Sequence, residues 1–584
     1  MSERIYLGLC TTYHDPALAI VDQDGAVVFA EATERSLQVK RGLNCPPDPL
    51  PHVTSWLRRY CDPDAQWVIA SNWSRRRPWY EYTSRWLGYF SPQGLIAKGY
   101  RDHATFLEKY KLFHMLACQN TSLPLGGVNL VRQVAEHFPS TKLCFRHFDH
   151  HDCHAALACF SSPFPEAACL ILDSYGESGA VAAYRYRDGK LERIHLGRGL
   201  ASLGFFYMWL TELCGFDWLA GEEWKVMGLA AYGQVEEELL ARFRKMLRVE
   251  GLNLRQDLAA ILAAWPELEA RRRKPNQAAL SAADIARTGQ EFFTELVCQL
   301  ATNLHATVPS PNLVLSGGCA LNSSCNGKLI ERTPFQALHV PYAPADDGTA
   351  LGAALLAWCQ DHPGAPPPRC HLPYLGSTVE RGKIDRLVRF SGFRNYYLPE
   401  RLEEIVAAYL AKGYSVGWVQ ARAEFGPRAL GNRSILADPR DPSLRDKLNA
   451  QVKFREEFRP FAPAILDQHG SEFFENYQTS PYMERALRFK PKIRSKVPAV
   501  VHVDGTGRLQ SVRREWNPRF HRLIEAFYRL TGVPMLLNTS FNLMGKPILH
   551  SAEDAIAIFA SCGLDLLVLE DYLFLKPHVP TPEF

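Results

Sequence analysis

The fold is decided by two stretches, IYLGLCTTYHDPALAIVDQDGAVVFAE (Ile5–Glu31) and ACLILDSYGESGAVAAYRYRDGKLERIH (Ala168–His195). Each runs in the order strand, polar turn, strand, Asp-Gly turn, strand. The pairs Asp24-Gly25 and Asp188-Gly189 are typical of tight hairpin turns, although such pairs are common enough to recur by coincidence. The pattern predicts two three-strand units of one design, one in each half of an amino-terminal domain.

This duplicated unit resembles the actin, Hsp70 and sugar-kinase architecture, in which turns between strands face a nucleotide in a central cleft. The resemblance implies an α/β fold with a duplicated amino-terminal domain over residues 1–360. The proline-rich stretch DHPGAPPPRCHLPYLG (361–376) is predicted to be a linker. Residues 377–584 are then predicted to form a second domain, of mixed α/β type.

Within that second domain the local signals alternate between helix and strand. They predict a helix over 400–413, a strand over 414–420 and a helix over 442–452. The last of these helices has Asp441 as its capping residue and proline in its first turn.

The second domain also contains a dense basic block, QARAEFGPRALGNRSILADPRDPSLRDKLNAQVKFREEFRPFAP (Gln420–Pro463). From 420 to 460 it has nine Lys or Arg against six Asp or Glu. One guanidinium group can bind two phosphate oxygens through two parallel hydrogen bonds, while glycine and proline fix loop conformations. The basic residues set among its glycines and prolines are Arg428, Arg433, Lys453, Arg455 and Arg459. The block predicts a phosphate site, with a solvated charged face as the alternative.

Composition indicates a large globular protein. The 584 residues predict two to four domains, and 47% hydrophobic with 22% charged residues is ordinary for a globular chain. A net charge of +4 is too small to predict a nucleic-acid partner. The start, MSERIYLGLC, lacks the pattern of an export signal, and no run of 18 apolar residues predicts a membrane span. The 15 cysteines include no CxxC pair, which favours reduced thiols and a cytoplasmic location.

A candidate metal site begins with His150 and His154, four residues apart in DHHDCHAALACF (149–160). On a helix both imidazoles would share one face, although such a pair alone is more often structural. Two carboxylates change that balance: Asp173 ends a predicted strand, and Asp346 precedes an alanine-rich helix. In an actin-like layout both border the cleft. Two imidazoles and two carboxylates suit a divalent transition metal, and the donor types leave iron, zinc and manganese open.

Four blocks of the second domain together resemble one known family. They are FGPRALGNRSILADPR (425–440), VKFREEFRPFAP (452–463), HVDGTGRLQ (502–510) and LNTSFN (537–542). They closely resemble the carboxy-terminal domain of the O-carbamoyltransferases of antibiotic and nodulation-factor pathways, of the tobramycin, cephamycin and albicidin type. That domain is similar to threonylcarbamoyl-adenylate synthases, and its amino-terminal partner is similar to threonylcarbamoyl transferases.

The resemblance implies site residues in the amino-terminal domain. His150, His154, Asp173 and Asp346 match an iron(II) site, with His151 and Asp347 as adjacent alternatives that fit the pattern less well. His14, in HDPALA (14–19), matches the residue taken to remove the proton of the attacking hydroxyl, although a lone histidine in a turn is more often structural. Two loops, GEEWKVMGLAAYG (221–233) and LSGGCALNSSCNGK (315–328), resemble adenylate-cradling loops. Their implied ligands are Lys225, Gly317, Gly318 and Asn322, and tight helix-strand packing is the other interpretation of the glycine pair.

In the carboxy-terminal domain the implied ligands for carbamoyl phosphate and ATP with Mg²⁺ are Arg428, Lys453, Arg459, Arg508 and Asn538. The expected reaction converts carbamoyl phosphate and ATP into carbamoyl-adenylate and pyrophosphate. The carbamoyl group then passes to a hydroxyl of a small natural product, and because the intermediates are labile in water, a channel between the chambers is predicted. Two rivals remain: a tRNA threonylcarbamoyl-modifying enzyme, which a tRNA-binding assay would identify, and an actin/Hsp70-like ATP-binding module without transfer chemistry.

Residues 73–113 carry 11 aromatic residues together with Arg75, Arg76 and Arg77. One hypothesis is a cap over a large, flat and anionic acceptor. The alternative, of equal weight, is internal packing or a subunit interface. The sequence sets neither the acceptor nor the oligomeric state.

Overall fold

The computed structural model describes residues 3–74, 123–456 and 458–582. Its strands are β1 Arg4–Cys10, β2 Ala17–Val21, β3 Val27–Ala32, β4 Gln66–Ser71, β5 Leu143–His147, β6 Glu166–Leu172, β7 Val181–Arg187, β8 Lys190–Leu196, β9 Leu247–Glu250, β10 Asn253–Gln256, β11 Asn312–Ser316, β12 Ala337–His339, β13 Arg394–Tyr397, β14 Val416–Val419, β15 Arg433–Ala437, β16 Ala462–Leu466, β17 Arg485–Arg488, β18 Thr506–Val512, β19 Met535–Ser540, β20 Leu566–Leu569 and β21 Tyr572–Leu575.

The α-helices lie in both parts of the chain. They are Thr33–Leu37, Leu50–Tyr60, Val128–His137, His150–Phe160, Leu203–Leu213, Glu223–Leu229, Glu237–Met246, Leu258–Ala270, Ala283–Thr307, Ser323–Asn326, Leu329–Arg332, Asp346–Asp361, Arg381–Phe390, Leu402–Ala411, Pro442–Lys447, Gly470–Phe473, Pro491–Arg494, Pro518–Thr531 and Ala552–Ser561. Among the described residues, no helix combines the length and the apolar character needed to cross a bilayer.

Two five-stranded sheets share one topology. The first has the order β3-β2-β1-β4-β5, and the second has the order β12-β11-β6-β7-β8. In each, the first three strands pair antiparallel and the last two join parallel to the first strand. Counted from its own first strand, each sheet reads 3-2-1-4-5. The predicted duplication of an actin-like unit is therefore confirmed by strand order.

The predicted Asp-Gly turns close the hairpins of both units. Gly25, between β2 and β3, has a φ of 85°, and Gly189, between β7 and β8, has a φ of 81°. This left-handed backbone favours glycine, which explains the local signal. The leading strands β1 and β6 are almost wholly buried because helices cover the sheets. Helix Asp346–Asp361 packs on β1 and on helix His150–Phe160, so the two helices that carry candidate metal ligands are in contact.

The remaining strands form a separate nine-stranded sheet, in the order β13-β21-β20-β14-β15-β19-β16-β18-β17, apart from the small hairpin of β9 and β10. The predicted helix over 400–413 is Leu402–Ala411, and the predicted strand over 414–420 is β14. Helix Pro442–Lys447 begins after Asp441, whose side chain accepts from the Ser443 amide at 2.8 Å, and it continues as a π-helical turn over Leu448–Lys453.

Between the two parts, residues 362–377 run without helix or strand. Arginine side chains also join the parts directly. Arg35 donates to the Gly426 carbonyl at 2.6 Å, and Arg422 donates to the Val28 carbonyl at 2.8 Å. These bonds hold the basic block of the carboxy-terminal part against the amino-terminal part.

Candidate metal and phosphate sites

The His150/His154 pair lies in the first two turns of helix His150–Phe160. Asp149 caps this helix by accepting from the His151 amide at 3.0 Å, so the helix begins where the first histidine stands. The i, i+4 spacing puts the two Nε2 atoms 3.2 Å apart. The sequence prediction that both imidazoles share one helix face is confirmed.

Asp173 and Asp346 complete a compact cluster with the histidine pair. Asp173 Oδ2 lies 3.1 Å from His150 Nε2 and 3.7 Å from His154 Nε2, and Asp346 Oδ1 lies 3.6 Å from each. One ligand atom from each of the four residues lies within 4.8 Å of the other three, and all four residues are buried. Donors about 2.1 Å from one ion would be ~3–3.5 Å from each other. The donor set and its spacing therefore fit a divalent transition metal.

The charges in this cluster favour a cation. Burial opposes a positive charge on His150, but hydrogen bonds from its ring to Asp173 and Asp346 raise the pKa of His150 to about 10. Burial also opposes ionisation of Asp173, as does Asp346, yet the two imidazoles hold the pKa of Asp173 below its ordinary value. Ionised carboxylates in a buried pocket require a positive partner, which either a protonated imidazole or a divalent cation can supply.

The surroundings hold these ligands in place. Asp173 Oδ1 accepts from the amides of Ser174 at 2.8 Å and Gly318 at 3.3 Å, which leaves Oδ2 towards the histidines. The ring of Trp73 stacks on His150 with centroids 5.0 Å apart. The Asn72 amide lies 3.4 Å from His150 Nδ1 and donates to Thr349 at 2.8 Å. Sequence reasoning did not select Asn72, because its partners are 78 and 277 residues away.

The adjacent alternatives lie outside the cluster. His151 is buried, and neither of its ring nitrogens has a hydrogen-bond partner among the described residues. Asp347 accepts from the Gly348 amide at 3.0 Å. Burial first, and then the neighbouring carboxylates of Asp15 and Glu34, raise the pKa of Asp347 well above its ordinary value.

His14 lies at the edge of the metal cluster. Its Nδ1 is 2.9 Å from Asp15 Oδ2 and 3.7 Å from Asp346 Oδ2. Burial and Arg41 oppose protonation, but Asp346 and Asp15 raise the pKa of His14. The Asp15 carboxylate engages Nδ1 of His14, so Nε2 is the ring nitrogen outside this pair.

The predicted adenylate loops have mainly internal partners. A Cβ at Gly317 would lie 2.2 Å from the Leu172 carbonyl oxygen, so this glycine permits close packing. The Gly318 amide donates to the Asp173 side chain. Asn322 exchanges two hydrogen bonds with Gln290, at 3.0 and 3.2 Å, and caps a short helix. Lys225 pairs with Glu222 at 2.7 Å and with Glu456 at 2.8 Å. Lys225 therefore connects its loop to the basic block.

A cavity of about 800 Å³ lies between the basic block and the loop over 221–233. Among the described residues its lining includes twelve Lys or Arg and four Asp or Glu, which favours anions. All five predicted carbamoyl phosphate and ATP ligands line it: Arg428, Lys453, Arg459, Arg508 and Asn538. Arg455 lines it as well.

Polar groups of the cavity wall fix two of these residues. Lys453 donates to the carbonyl oxygens of Ser540 at 2.6 Å and Asn542 at 3.1 Å, and also to the Asn542 side chain. Asn538 is fully buried and donates to Gln510 at 2.9 Å, while its side-chain oxygen has no partner among the described residues. Arg508 Nε is likewise buried without a partner there.

The cations of the cavity weaken one another's charge. Burial, then Arg508, lowers the pKa of Arg428 well below its ordinary value, and burial lowers the pKa of Arg508 to about 10. Burial also lowers the pKa of Arg459 to about 10, although Glu456 opposes the shift. Lys453 and Arg455 shift in the same direction for the same reasons. A site whose like charges are uncompensated in this way favours a multiply charged anion.

Not every basic residue of the block serves this cavity. Arg433 is fully buried and donates to backbone carbonyls, including Gln420 at 2.6 Å and Ala421 at 3.0 Å, so it holds the loop rather than phosphate.

Sequence reasoning missed Trp224, whose ring lies 3.5 Å from the Arg459 guanidinium carbon. The available signal was an aromatic residue directly before Lys225 in the glycine-bounded loop.

Most of 73–113, including Trp79 and Trp86, lies outside the described residues, so the acceptor cap stays a prediction.

Comparison with known proteins adds family evidence. A family model described as the carbamoyltransferase N-terminus matches residues 5–355, and one described as the carbamoyltransferase C-terminus matches residues 407–576. The chain is 36% identical to nodulation protein NolO of Bradyrhizobium diazoefficiens over 73% of this chain and 79% of that protein. It is 34% identical to nodulation protein NolNO of Sinorhizobium fredii over 80% of this chain and 69% of that protein.

Two further matches differ greatly in closeness. An uncharacterized Synechocystis protein is 31% identical over 99% of this chain and 97% of its own length. Among solved structures, full-length HypF in its phosphate- and nucleotide-bound form is 13% identical, with a TM-score of 0.36 over 62% of this chain and 57% of that one. A score at that level carries no weight beside the strand order described above.

Proposed function

Because the chain belongs to the carbamoyltransferase family, we propose that it is an ATP-dependent O-carbamoyltransferase with two reaction chambers. The observation that carries the proposal is the convergence of Arg428, Lys453, Arg455, Arg459 and Arg508 on one cavity. Carbamoyl phosphate and ATP are small polyanions that such a cavity would bind. The separate histidine and carboxylate cluster supports a second chemical step elsewhere in the same chain.

The activation step is proposed for the arginine-lined cavity. Water adds to the carbonyl carbon of carbamoyl phosphate, the bond to the phosphate oxygen breaks, and carbamate and phosphate form. A carbamate oxygen then attacks the α-phosphorus of ATP, and pyrophosphate leaves to give carbamoyl-adenylate. Arg428, Arg459 and Arg508 would stabilise the negative charge on the transferring and leaving groups, with Mg²⁺ accompanying ATP. Lys453 and Asn538, which line the same cavity, would contribute polar contacts.

The transfer step is proposed for the amino-terminal cleft. The acceptor oxygen attacks the carbamoyl carbon, AMP leaves, and the hydroxyl proton passes to Nε2 of His14, whose Nδ1 is held by Asp15. His150, His154, Asp173 and Asp346 would hold a divalent ion, proposed to be iron(II), which would polarise the carbamoyl carbonyl. A passage between the chambers would protect the labile adenylate from water.

The acceptor is proposed to be a small-molecule hydroxyl of a natural product, as in antibiotic biosynthesis. The names of NolO and NolNO attach those relatives to nodulation, so acceptors of both kinds belong in a screen.

The first test omits the acceptor. Purified protein is incubated with MgATP and radiolabelled carbamoyl phosphate, and carbamoyl-adenylate and pyrophosphate are sought by mass spectrometry. Both are expected, and the amount of each formed at a fixed substrate concentration should fall strongly in Arg459→Ala. Failure of folded, metal-replete protein to form either product, with and without candidate acceptors, would contradict the proposed activity.

A further inference from the structure

The short helix Glu223–Leu229 contacts the basic block of the carboxy-terminal part. The Trp224 indole stacks on Arg459, with the guanidinium carbon 3.5 Å from the ring centroid. Lys225, next along the helix, pairs at 2.8 Å with Glu456. Tyr232, just beyond the helix, donates to the Phe458 carbonyl at 3.4 Å. Three successive contacts thus place one loop of the amino-terminal part on the segment that carries Arg459.

These contacts restrict Arg459 in a specific way. A guanidinium stacked on an indole has its face covered, so only its N–H edge remains for hydrogen bonding. Arg459 Nη1 pairs with Glu456 at 3.6 Å, and the other carboxylate oxygen of Glu456 is engaged by Lys225 at 2.8 Å. Lys225 therefore competes for the carboxylate that would otherwise neutralise Arg459. Both neighbours leave the Arg459 edge available to an anion in the cavity.

We propose that Trp224 and Lys225 are positioning residues for Arg459, so that the amino-terminal part supplies two residues on which phosphate binding in the carboxy-terminal cavity depends. This role differs from the adenylate contact that the sequence predicts for Lys225. It also makes the activation chamber incomplete without the amino-terminal part. The identity of the phosphate substrates rests on the proposed function, whereas the contact between Trp224 and Arg459 does not.

The decisive variant is Trp224→Leu in the full-length protein, assayed without acceptor by carbamoyl phosphate-dependent exchange of labelled pyrophosphate into ATP. Arg459→Ala is expected to raise the KM for one of the two substrates, carbamoyl phosphate or ATP. The KM for that same substrate should rise about 5- to 30-fold in Trp224→Leu, with a smaller change in kcat. Trp224→Phe keeps a stacking face and should restore most of the loss. Lys225→Met should raise the same KM, because Glu456 is then free to pair with Arg459.

A matched control is available in the same part of the chain. Arg513 stacks on Trp516 with 4.6 Å between the guanidinium carbon and the ring centroid, and neither residue lines the cavity. Trp516→Leu removes an equivalent stack and should leave both KM values unchanged. The double variant Trp224→Leu/Arg459→Ala should be no worse than Arg459→Ala alone, because Trp224 acts through Arg459.

A second measurement keeps the inference independent of turnover. Inorganic pyrophosphate is titrated calorimetrically into each full-length variant, and its affinity should fall in Trp224→Leu and in Arg459→Ala but not in Trp516→Leu. Unchanged pyrophosphate affinity and unchanged KM in Trp224→Leu would overturn the inference, as would independent, multiplying losses in the double variant. Pyrophosphate binding that follows this pattern in a protein without exchange activity would support the positioning role and count against the proposed function instead.

Discussion

The two sites of this molecule differ in their charged groups. In the amino-terminal cleft, Asp173 and Asp346 face two imidazoles, and the carboxylates raise the pKa of His150. In the carboxy-terminal cavity, burial and then the neighbouring Arg508 lower the pKa of Arg428. The first site joins two carboxylates to two imidazoles, whereas the lining of the second contains many more cationic than anionic side chains. The comparison teaches that the first is arranged for a cation and the second for a polyanion, and it predicts that each can be disabled separately.

The largest effect is expected from Asp346→Ala. Loss of one carboxylate from the four-ligand cluster should lower the affinity for a divalent metal by at least ~100-fold. The rate of carbamoyl transfer should fall by ~1,000-fold or more, because the carbonyl is no longer polarised. Metal content by mass spectrometry and transfer to a hydroxyl acceptor measure the two effects. Asp152→Asn is the control, since Asp152 lies on the same helix but pairs with Arg193 at 3.3 Å. Full metal content in Asp346→Ala would contradict the assignment of the cluster as a metal site.

The next effect is expected from His14→Ala. If His14 is removed, loss of the proposed general base should lower the transfer rate by about 100- to 10,000-fold, while bound metal and carbamoyl-adenylate formation persist. Single-turnover transfer from enzyme-bound adenylate gives the rate. A variant that transfers at the wild-type rate would show that His14 serves only the local structure.

A smaller effect is expected for Arg508→Met. This variant should stabilise the protein, whereas most side-chain truncations destabilise it. Burial lowers the pKa of Arg508 to about 10, below that of an unfolded arginine, so the charged form is less favourable in the folded protein. This destabilisation applies below pH ~9 and fades as pH rises through 10. Without anions, the variant should therefore gain about 1–3 kcal/mol in free energy of unfolding, measured by urea denaturation at pH 7.

The control for Arg508→Met is Arg513→Met, which should lose stability because Arg513 pairs with Asp467 at 2.6 Å. Added pyrophosphate should stabilise the wild type and remove the difference from Arg508→Met. Equal destabilisation of both variants without anions would contradict the account of an uncompensated cationic cavity.

The smallest effect is expected at a charge pair that serves neither site. Asp361 accepts from Arg146 at 2.7 Å and from Tyr6 at 3.0 Å, and it pairs with Arg4 at 2.7 Å. Burial opposes its ionisation, but these bonds lower the pKa of Asp361. Asp361→Asn should cost about 1–2 kcal/mol near pH 7 with both partial reactions retained.

The sign of the pH dependence follows from that lowered pKa. The Asp361 contribution is complete above pH ~4 and is lost as pH falls through the folded-state pKa, so wild type and Asp361→Asn should converge in strong acid. Chemical denaturation at several pH values checks this. A stability difference that grows as pH falls below 4 would be incompatible with the pairing.

Local signals predicted the parts of this structure that local physics determines. The Asp-Gly hairpins, the capped helix at Pro442 and the face shared by His150 and His154 depend on residues close in sequence. Arg433 lies in the block that predicts a phosphate site, but it donates to the backbone carbonyls of its own loop, and residue type alone does not separate these two roles. The stack of Trp224 on Arg459 joins residues 235 positions apart, and it forms only when the two parts pack together.

The most direct test of two separable chambers is isotope exchange between labelled pyrophosphate and ATP, with and without carbamoyl phosphate and without acceptor. The account predicts exchange that requires carbamoyl phosphate in the wild type, persists in Asp346→Ala and is lost in Arg508→Ala. Exchange that ignores carbamoyl phosphate, or that falls equally in both variants, would contradict it.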